Sequence, residues 1–201
     1  MDQVDDAAVI ASSLREPAAF GVLFDRHATV LHRYLVRRLG PSEADGLVGE
    51  VFRIAFERRA SYDGQRPNAR PWLYGIATNL VAKQRRREAR RLHATARLAA
   101  SHLEPVEEAA AVAGAVDASR RWAGVAEAVA NLPQGERDAL VLYAWEGLGY
   151  DQVAAALDIP VGTVRSRLNR ARRRLRELEG ARGEGLHDDA PDAGAGGSTR
   201  G

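Results

Sequence analysis

Seven arginines and no acidic residue lie between Thr163 and Arg176. A helix that merely shows charge to water interleaves Glu with Arg, so that i,i+4 pairs form. This segment does not, and its guanidiniums repel one another unless a polyanion accepts them. Laid out at 100° per residue, Val164, Leu168, Ala171 and Leu175 gather into one apolar stripe, which marks a buried face. Opposite them lie Ser166, Asn169, Arg170 and Arg173, while Arg165, Arg172, Arg167 and Arg174 occupy the two flanks. Short polar and forked donors at the centre, with guanidiniums on either side, suit a helix that reads base edges in a major groove and holds the phosphates beside it.

Such a helix needs a partner to hold it at the groove. Tyr150 to Leu157 reads as a short helix, Asp158 to Gly162 as a tight turn, and the arginine-rich helix as beginning near Thr163, the first of its residues within reach of DNA. Ala154 is small where the two helices must cross. Asp158 stands where the turn needs a left-handed residue, a conformation Asp tolerates less well than Gly. The pattern is a helix-turn-helix.

A second candidate surface lies upstream. In a helix from about Pro71 to Leu92, Leu73, Ile76, Ala77 and Leu80 face inward, and Gly75, Thr78, Asn79, Ala82, Arg85 and Arg86 face outward. Small and amide-bearing residues beside arginines suit exposed bases and a phosphate track. Trp72 reads as core, although an indole can also stack on a base. Before this helix comes a polar loop, SYDGQRPNAR, in which Gly64 and Pro67 break any helix.

Two further helices precede the loop. Over 17–39, Phe20, Leu23, Phe24, Leu31, Tyr34 and Leu35 form a stripe that Gly40-Pro41 ends, and Ser42 can cap a helix over 43–59. On that helix Leu47, Val51 and Ile54 form a core face. Val48, Phe52 and Phe56 widen the apolar arc to roughly 200°, about twice what one small core requires. Either a partner covers the excess or the helix is clamped between two neighbours.

The chain of 201 residues has 45% hydrophobic and 6% aromatic residues, which fits small helical domains packed by Leu, Val and Ala. The expected fold is all-α, with two small helical domains joined by a flexible linker. There is no cysteine, so disulfides and thiolate metal sites are excluded. The acidic start, MDQVDDAAVI, is no signal peptide, and no apolar run would span a bilayer; a soluble cytoplasmic protein with no membrane partner is expected. The net charge of +2 conceals two basic zones, Arg85 to Arg97 and Arg165 to Arg176, separated by a mainly acidic Glu104 to Asp138. No GxxxxGK[ST], HExxH or GxSxG pattern occurs, and His27 and His32 lie on different helix faces. Catalytic residues, metals and cofactors are therefore not expected.

Three blocks carry a family resemblance: ADGLVGEVF (44–52), RPWLYGIATNL (70–80) and LPQGERDALVLYAWEGLGYDQVAAALDIPVGTVRSRLNRARRRL (132–175). They resemble the sigma-70 family of RNA polymerase sigma factors, in its short extracytoplasmic-function (ECF) branch. The resemblance implies an N-terminal extension (1–17), a region 2 domain (18–92), a linker (93–121), a region 4 helix-turn-helix domain (122–178) and a disordered tail (179–201). Region 2 would bind the β′ clamp helices of core polymerase through Leu47, Val48, Glu50 and Phe52. It would also bind the melted −10 element through the loop Asp63 to Asn68, with Thr78, Asn79, Arg85 and Arg86. Region 4 would bind the β flap and place Thr163, Arg165, Ser166, Arg167, Asn169, Arg170 and Arg173 in or beside the −35 groove. An anti-sigma factor is implied as a further partner. Gly46 and Gly49 depart from the family, standing where an acid and Gln are common. Each mid-helix Gly costs about 1 kcal/mol against Ala and removes a polar contact.

Other readings make different demands. A one-component helix-turn-helix transcription regulator needs a pocket-forming or dimerising domain, usually with strands, which the pattern does not suggest. An anti-sigma factor would lack the arginine-rich helix.

Overall fold

The computed structural model describes residues 4–99, 124 and 127–184, and among them every regular element is a helix. Helix α1 (Asp6–Ser13) starts at Asp5, whose carboxylate accepts from the Ala8 N–H at 2.7 Å. A 3₁₀ turn (Pro17–Phe20) leads into α2 (Gly21–Leu39). The chain then reverses at Gly40, whose φ of +93° favours glycine. Helix α3 (Pro41–Arg58) follows at once. Proline at the first helical position is already set at a helical φ, so α3 begins ahead of Ser42 and the expected serine cap is not made. Helix α4 (Arg70–Ala99) completes the first bundle and extends into the segment read as linker. The remainder of that segment, 100–121, lies outside the described residues.

Leu23, Leu31, Tyr34, Leu35, Val51, Leu73, Tyr74 and Val81 are fully buried at the centre of this bundle. Two expectations are corrected there. Phe24 is 46% exposed, so it leaves the α2 stripe. Val48 and Phe52, read as surplus surface, are buried together with Ala44, Val51 and Ala55. Helix α3 packs on α2 and on α4, and those two neighbours account for its wide apolar arc. Leu47 and Ile54 are half-buried on its edge.

The second unit comprises helical residues 127–130, α5 (Gln134–Ala144), α6 (Tyr150–Leu157) and α7 (Val161–Glu184). Helix α6 has the expected bounds, and Asp158 ends it in the left-handed region (φ 52°, ψ 51°). Helix α7 starts at Val161 rather than near Thr163, because the Pro160 carbonyl already accepts from the Thr163 and Val164 N–H groups. It stays helical to Glu184, through the first residues of the expected disordered tail; 185–201 lie outside the described residues. Val164, Leu168 and Ala171 are buried and Leu175 is half-buried, as the stripe predicts.

The two units touch. Helix α4 crosses α6 so closely that a Cβ on Gly75 would fall 2.6 Å from the Ala156 carbonyl oxygen. Arg38 pairs with Asp138, both almost fully buried, and Arg37 pairs with Glu146. The Tyr74 hydroxyl donates to the other Glu146 oxygen at 2.5 Å. Gly75 and Thr78, expected on the outer face of α4, are therefore inside: Gly75 under α6, Thr78 against the Tyr34 hydroxyl at 2.7 Å.

Candidate nucleic-acid interface

Helix α7 presents Arg165, Asn169, Arg172, Arg173 and Arg176 to solvent, with Thr163, Ser166 and Arg167 half-buried. Arg170, exposed as the pattern predicts, also makes an ion pair that the pattern did not show. Its Nε donates to Oε1 of Glu136 at 3.0 Å, and Arg174 Nε lies 3.1 Å from Oε2 of the same residue. Glu136, on α5, is buried. A buried carboxylate requires such partners, so Arg170 and Arg174 each contact Glu136 while their side chains stay about half exposed. Ser166 turns its hydroxyl back to the Thr163 carbonyl at 2.9 Å.

The opposite flank rests on two tyrosines that periodicity alone did not single out. Tyr143 and Tyr150 stack with centroids 5.2 Å apart; Arg172 lies over the first at 5.5 Å and Arg165 over the second at 5.9 Å. Cation–π contact restrains a guanidinium without neutralising it. Among the described residues the α7 arginines with no carboxylate pair are Arg165, Arg167, Arg172 and Arg176, with Arg173 only loosely paired to Glu177 at 3.6 Å.

On the first unit, Asp63 and Asn68 wall one cleft of about 220 Å³ together with Tyr62, Trp72 and Ala155. Asp63 accepts from the Gln65 amide and from Arg66 Nε, both at 3.0 Å, and these bonds hold its carboxyl below the usual carboxylate range. Tyr62 packs on Trp72 at 5.0 Å, and its hydroxyl donates to the Arg66 carbonyl. Asn79 and Arg86 are exposed further along α4 and do not line this cleft. Arg85 is half-buried and donates to the Arg38 carbonyl at 2.8 Å; burial and then Arg38 push it below the ordinary arginine value. Thr78 is not available. On α3, Glu50 is half-buried and bonded to Arg53, and Gly46 and Gly49 lie on the open side. His27 pairs with Asp6 and His32 with Asp45, each at 2.8 Å.

The sigma-70 region 2 family model matches residues 23–91, and the sigma-70 region 4 model matches 123–175. The ECF RNA polymerase sigma factor SigL of Mycobacterium tuberculosis is 32% identical over 172 residues, covering 85% of this chain and 94% of SigL. The chain belongs to the ECF sigma factors of the sigma-70 family. ECF sigma factor SigE of Mycolicibacterium smegmatis is 33% identical over 161 residues, and there the match spans 77% of this chain but 59% of the relative's length. A solved structure of CnrH in complex with the cytosolic domain of CnrY superposes with a TM-score of 0.61 at 26% identity, covering 88% of this chain and 97% of CnrH. Region 2 thus corresponds to the bundle built on α2 to α4, and region 4 to the α5–α7 unit. Among the described residues no helix is long and apolar enough to cross a membrane.

Proposed function

We propose that this ECF sigma factor acts in the cytoplasm by binding alone, with no catalytic step of its own, bringing core polymerase to promoters through two DNA contacts. The observation that carries this is the outward set on α7, where Arg165, Arg172, Arg173 and Arg176 surround Asn169 while Glu136 engages Arg170 and Arg174. Region 4 then reads the −35 duplex through Asn169 and Arg173, with Arg165, Arg172 and Arg176 on phosphates and Thr163, Ser166 and Arg167 at the groove edge. Region 2 takes a flipped-out −10 base at the loop cleft of Asp63 and Asn68, with Asn79, Arg85 and Arg86 along the strand. Leu47 and Glu50, at the edge of α3, meet the β′ clamp helices, and region 4 meets the β flap. CnrH is described in complex with the cytosolic domain of CnrY, and a protein partner of this kind, an anti-sigma factor, is part of the reading for this chain.

Run-off transcription with purified core polymerase on genomic fragments tests this reading. Products starting at defined sites should form only when the protein is present. The free protein should bind promoter duplex weakly and the holoenzyme tightly; tight duplex binding with no gain from core would make it a regulator instead.

The arginines separate by experiment as well. Arg173→Ala should cost about 1–3 kcal/mol and relax preference at one or two −35 positions. Arg176→Ala should weaken all promoters alike and lower the salt slope by about one ion. Arg170→Ala should instead lower the melting temperature, since it removes a partner of buried Glu136. These effects are read from holoenzyme binding to −35 variants at several salt concentrations and from thermal melts.

A further inference from the structure

Helix α1 lies ahead of the region 2 match, which begins at residue 23, and the promoter reading gives it no role. Its first residue, Asp6, points inward, with its side chain 8% exposed. A carboxylate tolerates that setting only when its oxygens are used. The Ala69 N–H donates to Oδ2 at 2.9 Å, His27 Nε2 lies 2.8 Å from the same oxygen, and Arg26 Nη1 donates to Oδ1 at 2.9 Å. Burial alone would raise the Asp6 carboxyl; the Ala69 amide, Arg26 and His27 outweigh it and hold the group below the usual carboxylate range.

Two of the contacts made by Asp6 go to the loop. Its backbone N–H donates to the Pro67 carbonyl at 2.9 Å, and its side chain takes the Ala69 N–H. Between these two anchors stands Asn68, whose Oδ1 accepts from the Arg70 N–H at 2.9 Å. The far limb of the loop is fixed separately, by Tyr62 on Trp72 and by the bonds of Asp63. Both bonds reach across more than sixty residues of sequence, 63 in the case of Ala69.

We infer that Asp6 is a positioning residue for −10 recognition: its amide and carboxylate fix the Pro67–Ala69 backbone, so that Asn68 is held facing the cleft it shares with Asp63. This rests on the reading of that cleft as the site of the flipped-out base. A residue that only stapled α1 to α2 would act on stability and on every promoter equally. A positioning residue acts on the discrimination of one base.

The test uses the full chain carrying Asp6→Asn, Asp6→Ala or Asp6→Glu, assembled with core polymerase. Open-complex formation is measured on promoters changed one base at a time in the −10 and −35 elements, and hydrogen exchange of the Ala69 amide is followed in the free chain. Asp6→Asn should speed Ala69 exchange and reduce discrimination at one −10 base by about tenfold, in the range of a lost base contact. Core affinity and −35 discrimination should not change, and Asp6→Glu should regain part of the loss. Asn68→Ala and Asp63→Ala are run alongside. If they abolish discrimination at a −10 base while Asp6→Asn leaves it intact, the inference fails and the loop reading stands. If the loop variants have no effect, the loop reading fails and the inference goes with it. Unchanged Ala69 exchange, or an equal loss on all promoters, also overturns it. Should Asp6→Ala not fold, Asp6→Asn, which keeps the side-chain shape, carries the test.

Discussion

Phe52→Ala is expected to destabilise the free protein by about 3–5 kcal/mol, the usual cost of deleting a buried aromatic ring. The Phe52 residue is 6% exposed on the inner face of α3, with Val48 one turn before it and fully buried Val51 and Ala55 beside it. Its ring lies 4.9 Å from that of Phe24 on α2. Neighbours fixed between α2 and α4 can close the resulting void only in part, so the cavity adds to the lost transfer energy. For a bundle of this size the melting temperature should fall by roughly 12–40 °C, as read by circular dichroism on the free chain. Leu47→Ala and Glu50→Ala, on the half-buried edge, should move that temperature far less and weaken core polymerase binding instead. A Phe52→Ala protein that melts normally but loses core affinity would return Phe52 to the clamp contact and put α3 in the wrong phase.

That helix shows why the sequence was only partly legible. A helix declares its outer face through polar side chains, and α3 carries glycine at Gly46 and Gly49, two of its open positions. Without those markers the apolar arc looked unbounded, and a helix clamped on two sides looked like one awaiting a partner. The helix-turn-helix was readable because its determinants are local: Asp158 in the left-handed turn, Ala154 at the crossing, and a stripe beginning at Val164. The ion pair of Arg170 was hidden for the opposite reason. Its partner, Glu136, lies 34 residues earlier on another helix, and no spacing along α7 reveals a carboxylate delivered by the fold. Gly75, Thr78 and Asp6 share that origin, since each is placed by a tertiary neighbour. Buried faces were therefore legible where one helix alone defines them, as in the stripe of α7, and contacts were illegible where two elements meet, as at Glu136 and Asp6.

Asp138→Ala is expected to part the two helical units without unfolding either. The Asp138 carboxylate is paired with Arg38, whose Nε and Nη1 have no partner of their own. Burial lowers both Arg85 and Arg137, followed by Arg38 for Arg85 and by Arg85 and then Arg38 for Arg137, and Asp138 opposes both shifts. Among the described residues Asp138 thus pairs directly with Arg38 alone, and its charge also reaches Arg85 and Arg137. Removing one partner of a buried pair costs about 3–5 kcal/mol while the surroundings stay closed, and here it leaves Arg38 near Arg85 and Arg137 without its carboxylate. The chain has a cheaper response than unfolding: the units separate, and water solvates Arg38, Arg85 and Arg137. Gly75→Ala should have the same consequence by a different cause. Its Cβ would meet the Ala156 carbonyl oxygen at 2.6 Å, which forces α4 and α6 apart, while alanine within α4 favours the helix by about 1 kcal/mol. Gly75→Ala should therefore open the pair of units and leave the region 2 bundle as stable as before or more so. Because the chain has no cysteine, two introduced ones at exposed Glu57 and Asp151 can carry a donor and an acceptor dye. Energy transfer should fall in both variants relative to the unchanged chain, and the radius of gyration from small-angle scattering should rise. Separation also removes Ala155 from the wall of the Asp63–Asn68 cleft, so a dye-free fluorescent base analogue offered to that cleft should gain access in both. Unchanged transfer together with a lower melting temperature would show that Asp138 and Gly75 belong to one continuous core, and that the two units do not part.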